Sequence, residues 1–136
     1  MALKDKPQTK KNHHFFQSLK HAGSGVLFAI RHERNLRRDL IVAAVVFLAA
    51  YLLKLPSTSF LWLGLVIFLV FQAELWNSVA EYLVDLSTKR KFNPLAKVIK
   101  DLSAGIVLLT ALFSVVVGLI IFLPAVRQVL QTQLGW

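Results

Sequence analysis

The residues best placed to do chemistry lie in one stretch, A-E-L-W-N-S-V-A-E-Y-L-V-D, residues 73–85. Glu74, Asn77, Glu81 and Asp85 follow one another there at spacings of three, four and four. On a helix turning 100° per residue, the last three stand at about −60°, −20° and +20° from Glu74, so one face carries all four. Three carboxylates and an amide on one face hold excess negative charge, which asks for a cation. Two carboxylates and water suit Mg2+, which takes one or two carboxylates and leaves further positions to substrate phosphates. The plainer reading, in which Glu74 neutralises Arg37 or Lys100 between helices, accounts for one residue better than for an aligned set of four.

The elements that must position this face follow from hydropathy. The chain has 136 residues, of which 56% are hydrophobic, and a soluble domain of that length cannot hide so much apolar surface. The apolar residues fall in blocks at 40–53, 60–71 and 102–123. Crossing about 30 Å of hydrocarbon takes roughly 20 helical residues, so the third block spans alone. The first two span only if they continue into polar sequence, the first back into 36–39 and the second forward to Glu74 and Asn77. The expected fold is all-α and integral to the membrane, a single domain over 15–136 with spans at about 36–55, 58–86 and 101–123. If the second span starts near Thr58, its inner boundary falls near Asn77. Glu74 then lies at headgroup depth, with Glu81 and Asp85 one and two turns out in cytoplasm.

Ahead of the spans, residues 1–14 form a basic tail predicted to be disordered, and 15–34 a surface helix. Phe16, Leu19, Gly23, Val26, Leu27 and Ile30 share one arc of that helix, with Gln17, Lys20 and Arg31 opposite. Such a helix lies in the interface plane with its apolar face in the lipid. Nine of the sixteen Lys and Arg residues precede the first span and five lie between the second and third, leaving only Lys54 and Arg127 for the other side. That bias predicts a multi-pass cell-membrane protein with N-terminus and 86–100 loop cytoplasmic. The net charge of +9 sits beside apolar spans, which points to anionic lipids and not to nucleic acid.

Several local signals complete the reading. Absence of cysteine excludes disulfides and thiolate metal sites. Adjacent His13 and His14 lack the convergent geometry that zinc needs, and Gly23-Ser-Gly25 is too short for a phosphate-binding loop. Small residues at Ala43 and Ala50, and at Ala104, Ala111 and Gly118, predict tight helix packing, within the chain or between chains. Ser57 or Thr58 is expected to cap the second span, Asn93-Pro94 to break the inner loop, and Pro124 to end the third span before an outer-interface segment closing on Trp136.

The residues also resemble a known family. Glu33-Arg34-Asn35, Glu74-Leu-Trp-Asn77-Ser-Val-Ala-Glu81 with Val84-Asp85, and Pro94-Leu-Ala-Lys97 with Lys100-Asp101-Leu-Ser-Ala-Gly105 are similar to the signature of the small prokaryotic diacylglycerol kinases, in particular the Gram-positive undecaprenol kinase type. Trp76, Val79-Ala80 and Ser103 depart from the usual pattern without removing a polar group. The resemblance covers about residues 16–123. It implies a homotrimeric bundle with composite sites that transfers phosphate from ATP to a lipid alcohol at the cytoplasmic face, undecaprenol before diacylglycerol. By the same resemblance Glu74 is the general base, Glu33 and Glu81 hold Mg2+ and nucleotide, Lys100 and Asp101 contact nucleotide, and Asn77 and Asp85 support. Two other classes compete. A non-enzymatic pore or assembly subunit has no use for the acidic face, and transporter sites lie nearer the midplane.

Overall fold

The computed structural model describes residues 15–135, arranged as four helices: α1 (Phe15–His32), α2 (Arg34–Leu52), α3 (Ser57–Thr88) and α4 (Pro94–Leu134). The basic tail with His13 and His14, and Trp136, lie outside the described residues. As hydropathy predicts, the described fold is all-helical.

The surface helix ends two residues earlier than expected. Glu33 stands between α1 and α2 in an extended conformation, φ −90° and ψ 121°. Its N–H closes the last turn of α1 on Ala29 O at 2.8 Å. Ala29 and Leu36, on either side of this break, are buried and pin it to the bundle. The break matters because it projects a carboxylate from a helix junction.

At the opposite end, Lys54 adopts a left-handed φ of 52° between α2 and α3. Pro56 occupies the cap position of α3, and neither Ser57 nor Thr58 supplies the expected side-chain cap; both already lie inside the helix. A proline before the first turn presets the backbone and leaves no N–H of its own to satisfy. Lys89 and Arg90 then turn the chain with φ of 51° and 60°. Asn93 caps α4 as a local acceptor, its Oδ1 taking Leu95 N–H at 2.8 Å and Ala96 N–H at 3.3 Å, with Pro94 in the first turn. The Asn93-Pro94 break is therefore where sequence places it. The helix begins there, two turns ahead of the expected span, so Lys97, Lys100 and Asp101 ride on a rigid element.

Pro124 does not end α4, which runs on to Leu134. A proline removes one helical hydrogen bond, and helices in membranes accommodate that loss by local adjustment. The small-residue expectation also needs correction within the chain. A Cβ added at Gly105 or Gly118 would meet nothing within 4 Å, so these positions of α4 are not sites of close helix approach.

α3 packs chiefly on α4, and α2 on α3. The buried core is thin, comprising Leu36, Ala50, Leu63, Val66, Ala73 and Val84 with Ala29. Large apolar side chains face outward instead, such as Ile120 at 68% exposure and Phe16, on the apolar arc of α1, at 80%. Among the described residues α3 and α4 are long and apolar enough to cross a membrane, whereas α2 carries Arg34, Arg37, Arg38 and Asp39 in its first turns and does not meet that standard. With its apolar surface turned out and its polar groups gathered at one end, the chain is a helical membrane protein.

Candidate active site

The N-terminal half of α2 and the C-terminal half of α3 meet around Glu74. This carboxylate is only 8% exposed, which is unusual for an acid unless its surroundings use it. Ser78, also buried, donates to the backbone carbonyl of Glu74 at 3.1 Å, so its hydroxyl does not engage the carboxylate. The Asn35 amide lies beside the carboxylate, and the charges of Asp39, Glu81 and Glu33 all reach it. No lysine or arginine pairs with it among the described residues. Arg37, a candidate partner on sequence grounds, donates instead to Arg31 O at 2.8 Å.

Glu33 and Glu81 are tied into the same region by neutral donors. Tyr82 O–H donates to Glu33 Oε1 at 2.6 Å, joining the α1–α2 junction to α3. Asn77 Nδ2 donates to Glu81 Oε1 at 3.3 Å. Asn77 Oδ1 in turn accepts from Ser103 Oγ at 2.7 Å, a hydroxyl that also lies 2.9 Å from Lys100 O. The carboxylate, which only accepts, takes the amide nitrogen, and the hydroxyl takes the amide oxygen. In these bonds Glu33 and Glu81 each engage Oε1, which leaves Oε2 to a ligand. Among the described residues no cluster of three His, Cys, Asp or Glu side chains could hold a metal by itself. Two carboxylates with one open oxygen each nevertheless fit Mg2+, whose other positions go to phosphates and water.

The remaining predicted residues form a second group, where the end of α3 meets the start of α4. Lys100 Nζ binds Asp85 Oδ1 at 2.6 Å, with Arg90 at 3.9 Å from the other oxygen. Lys97 pairs with Asp101 at 2.7 Å along α4. Asp85, Lys100 and Asp101, with Arg90, Lys91 and Asn93, border a pocket of about 530 Å3. Thus Glu33, Glu74, Asn77 and Glu81 belong to one cluster and Asp85, Lys100 and Asp101 to the next. Ser103 links them through Asn77 and the Lys100 carbonyl.

Asp85 lies in the polar last turn of α3, beyond its apolar block. The Lys100 ammonium that bonds it holds its carboxyl below the usual 3.8. A depressed carboxylate stabilises the fold above its unfolded pKa and loses that contribution as pH falls through the folded value. Asp85→Asn is therefore expected to lower the thermal midpoint near neutral pH, and the gap from wild type to close as the sample is acidified below the ordinary carboxylate range. A gap that stayed constant with pH would mean that the pair does not stabilise the fold electrostatically.

Sequence reasoning missed four contributors. Tyr82 stands 100° off the acidic face, next to Glu81, and reaches Glu33 only because the α1–α2 break brings that residue over. Ser103 was visible as a departure from the family pattern, yet nothing local linked it to Asn77. Asn35 and Asp39 lay inside a cluster of basic residues that reads as a membrane anchor.

Comparisons with known proteins show the family. The family model described as prokaryotic diacylglycerol kinase matches residues 20–122. An undecaprenol kinase of Bacillus subtilis is 40% identical over 110 residues, covering 81% of this chain and 89% of that protein. A diacylglycerol kinase of Synechocystis sp. is 38% identical over 107 residues, 79% of this chain but 61% of that protein, so the chain spans less than two thirds of this second relative. No solved structure gives a significant match. The family match runs from within α1 through the acidic face to α4, and the chain belongs to the prokaryotic diacylglycerol kinase family of lipid kinases.

Proposed function

We propose that this protein transfers the γ-phosphate of ATP to the hydroxyl of undecaprenol at the cytoplasmic face of the cell membrane. The observation that carries this reading is the buried carboxylate of Glu74, without a paired cation among the described residues and beside a face that suits a metal-bound nucleotide; counted along a span from Thr58, it falls at the depth of a lipid headgroup. Similarity over 89% of the Bacillus undecaprenol kinase supports that acceptor. The Synechocystis relative supports diacylglycerol as the second choice.

Phosphoryl transfer requires positioning and charge stabilisation more than covalent catalysis. Glu74 accepts the hydroxyl proton as the lipid oxygen bonds to the γ-phosphorus. The bond from that phosphorus to the β,γ-bridging oxygen breaks, and ADP leaves. Glu33 and Glu81 would hold Mg2+, which when bound offsets charge on the β and γ phosphates. Asn77, held by Ser103, keeps Glu81 oriented. Lys100 and Asp101 contact the nucleotide, and Asp85 holds Lys100 in reserve through their ion pair.

In this reading α2, α3 and α4 each cross the membrane, residues 15–136 form one domain with 1–14 as its basic tail, and α1 lies on the cytoplasmic surface beside anionic lipids. The outward apolar surface of α3 and α4 suits a homotrimer with sites shared between protomers. Purified protein in vesicles, offered undecaprenol, diacylglycerol and ceramide in competition with labelled ATP, tests the acceptor. Undecaprenol should carry most of the label. Preferential labelling of diacylglycerol would replace it as the substrate.

A further inference from the structure

One side of α3 is left uncovered along its whole length. At 100° per residue Leu61, Leu65, Phe68, Val79, Leu83 and Leu86 all fall within about 40° of Gln72, and each of the six is exposed. The buried residues Leu63, Val66, Ala73 and Ser78 stand about 100° or more from that line, where α3 packs on its neighbours. From Leu61 to Leu86 the stripe is about 38 Å long at 1.5 Å per residue. α4 adds to the same side, for a groove of about 470 Å3 lies between the two helices, bordered by Gln72, Trp76, Ile106, Leu109 and Phe113.

Two features of the stripe ask for protein as its cover and not lipid alone. Counted from Thr58, the span ends near Asn77, yet the stripe runs on to Leu83 and Leu86, which are 60% and 78% exposed. Lipid tails do not reach that far, and contiguous apolar surface facing water marks a protein contact. The other feature is Gln72 itself, the one polar side chain between Phe60 and Ala73, exposed in the middle of the stripe. An amide among lipid tails finds no water to bond, whereas across a helix interface it finds a partner.

The cover must therefore be apolar over the same length and polar at the depth of Gln72. A second copy of the chain meets both conditions. Copies in one membrane share an orientation, so rotation about the membrane normal keeps every residue at its depth and brings Gln72 to Gln72. An amide both donates and accepts, so this side chain complements itself, as a carboxylate or an ammonium could not. A single polar residue in an apolar seam also fixes the register of the helices that meet there.

Resting on the reading of the chain as a membrane kinase whose α3 leaves the hydrocarbon near Asn77, we propose that this stripe is the seam along which copies associate, parallel and in register, with Gln72 Nε2 of one protomer donating to Oε1 of the partner's Gln72. Gln72 stands about 160° from Glu74 around α3 and takes no part in the acidic face.

The chain has no cysteine, so single cysteines give a direct test. Helices in register bring the same residue of two copies within the roughly 7 Å between Cα atoms that a disulfide spans. Phe68→Cys and Leu83→Cys, each oxidised in isolated membranes, should run largely as linked dimers. Leu108→Cys should stay monomeric: Leu108 is as exposed as Phe68, at 60%, but stands about 100° or more from Ile106, Leu109 and Phe113 around α4. Gln72→Leu should weaken association about tenfold on dilution into detergent, and Gln72→Asn, which keeps an amide, should recover part of the loss. Linkage through Leu108→Cys without Phe68→Cys would move the interface to another face and overturn the proposal. Linkage at Phe68→Cys without Leu83→Cys would refute the seam beyond the membrane, and undiminished association of Gln72→Leu would remove the amide from it. Crosslinking needs no substrate, so the two readings fail separately. Linked protein that labels no lipid alcohol would overturn the kinase reading and leave the seam, while unlinked Phe68→Cys and Leu83→Cys proteins that still label undecaprenol would overturn the seam and leave the kinase.

Discussion

Glu74→Gln is expected to lower lipid-dependent turnover by at least about a hundredfold, the lower end of what general-base catalysis contributes, while Mg-ATP affinity stays nearly intact. The substitution keeps size and one oxygen, so the α2–α3 contact should survive. It removes the one carboxylate in the cluster that is buried and without a paired cation among the described residues. A base must sit where the proton is. In the proposed reading Glu74 is at headgroup depth and Glu81 lies two turns further along α3 toward the cytoplasm, so a hydroxyl anchored in the membrane and a nucleotide arriving from water can meet between them. The paired measurement is nucleotide binding and turnover on the same preparation. Equal loss of both would assign Glu74 to binding, and loss of neither would reduce the acidic face to a structural feature.

The second large effect is expected from Glu81→Gln and Glu33→Gln. Each carboxylate gives one oxygen to a neutral donor, Asn77 in one case and Tyr82 in the other. The donors set orientation but supply no countercharge. Removing either negative charge should weaken Mg2+ binding and, with it, the nucleotide, so both KM for ATP and turnover suffer and the Mg2+ concentration for half-maximal rate rises. About a tenfold loss is a conservative expectation, the smaller end of what disturbing a metal's surroundings produces. Titrating Mg2+ at saturating lipid separates this from a general defect. Half-saturation at the wild-type Mg2+ concentration in both variants would remove the pair from the metal site.

Much of this arrangement is legible before any coordinates. The spacing from Glu74 to Asp85 obliges one helix face to carry four polar groups, and the apolar block preceding it places that face at a membrane boundary. Asn93-Pro94 announces the start of α4, because a short acceptor followed by proline is a helix beginning. What sequence could not supply is contact between distant elements. Glu33 reaches α3 because α1 breaks one residue earlier, and only the fold brings Tyr82 beneath it. Lys100 looks like a free cation in sequence, while in three dimensions it is bound to Asp85 from the neighbouring helix. Pro124 misleads for a physical reason: one missing N–H is a small loss in a long helix, and nothing local distinguishes a tolerated proline from a terminating one. Gly118 is legible only as a packing position within or between chains. A small residue in a membrane helix marks either a close approach or an open space, and here it marks space.

The most direct test of the account is transfer of label from γ-labelled ATP into the lipid phase, run in parallel on wild-type and Glu74→Gln protein in vesicles with and without undecaprenol. The account predicts Mg2+-dependent labelling of undecaprenol by the wild type, none without added alcohol, and at least about a hundredfold less with Glu74→Gln although the variant still binds Mg-ATP. Equal labelling by the two proteins, or ATP consumption by the wild type that ignores the lipid, would contradict it.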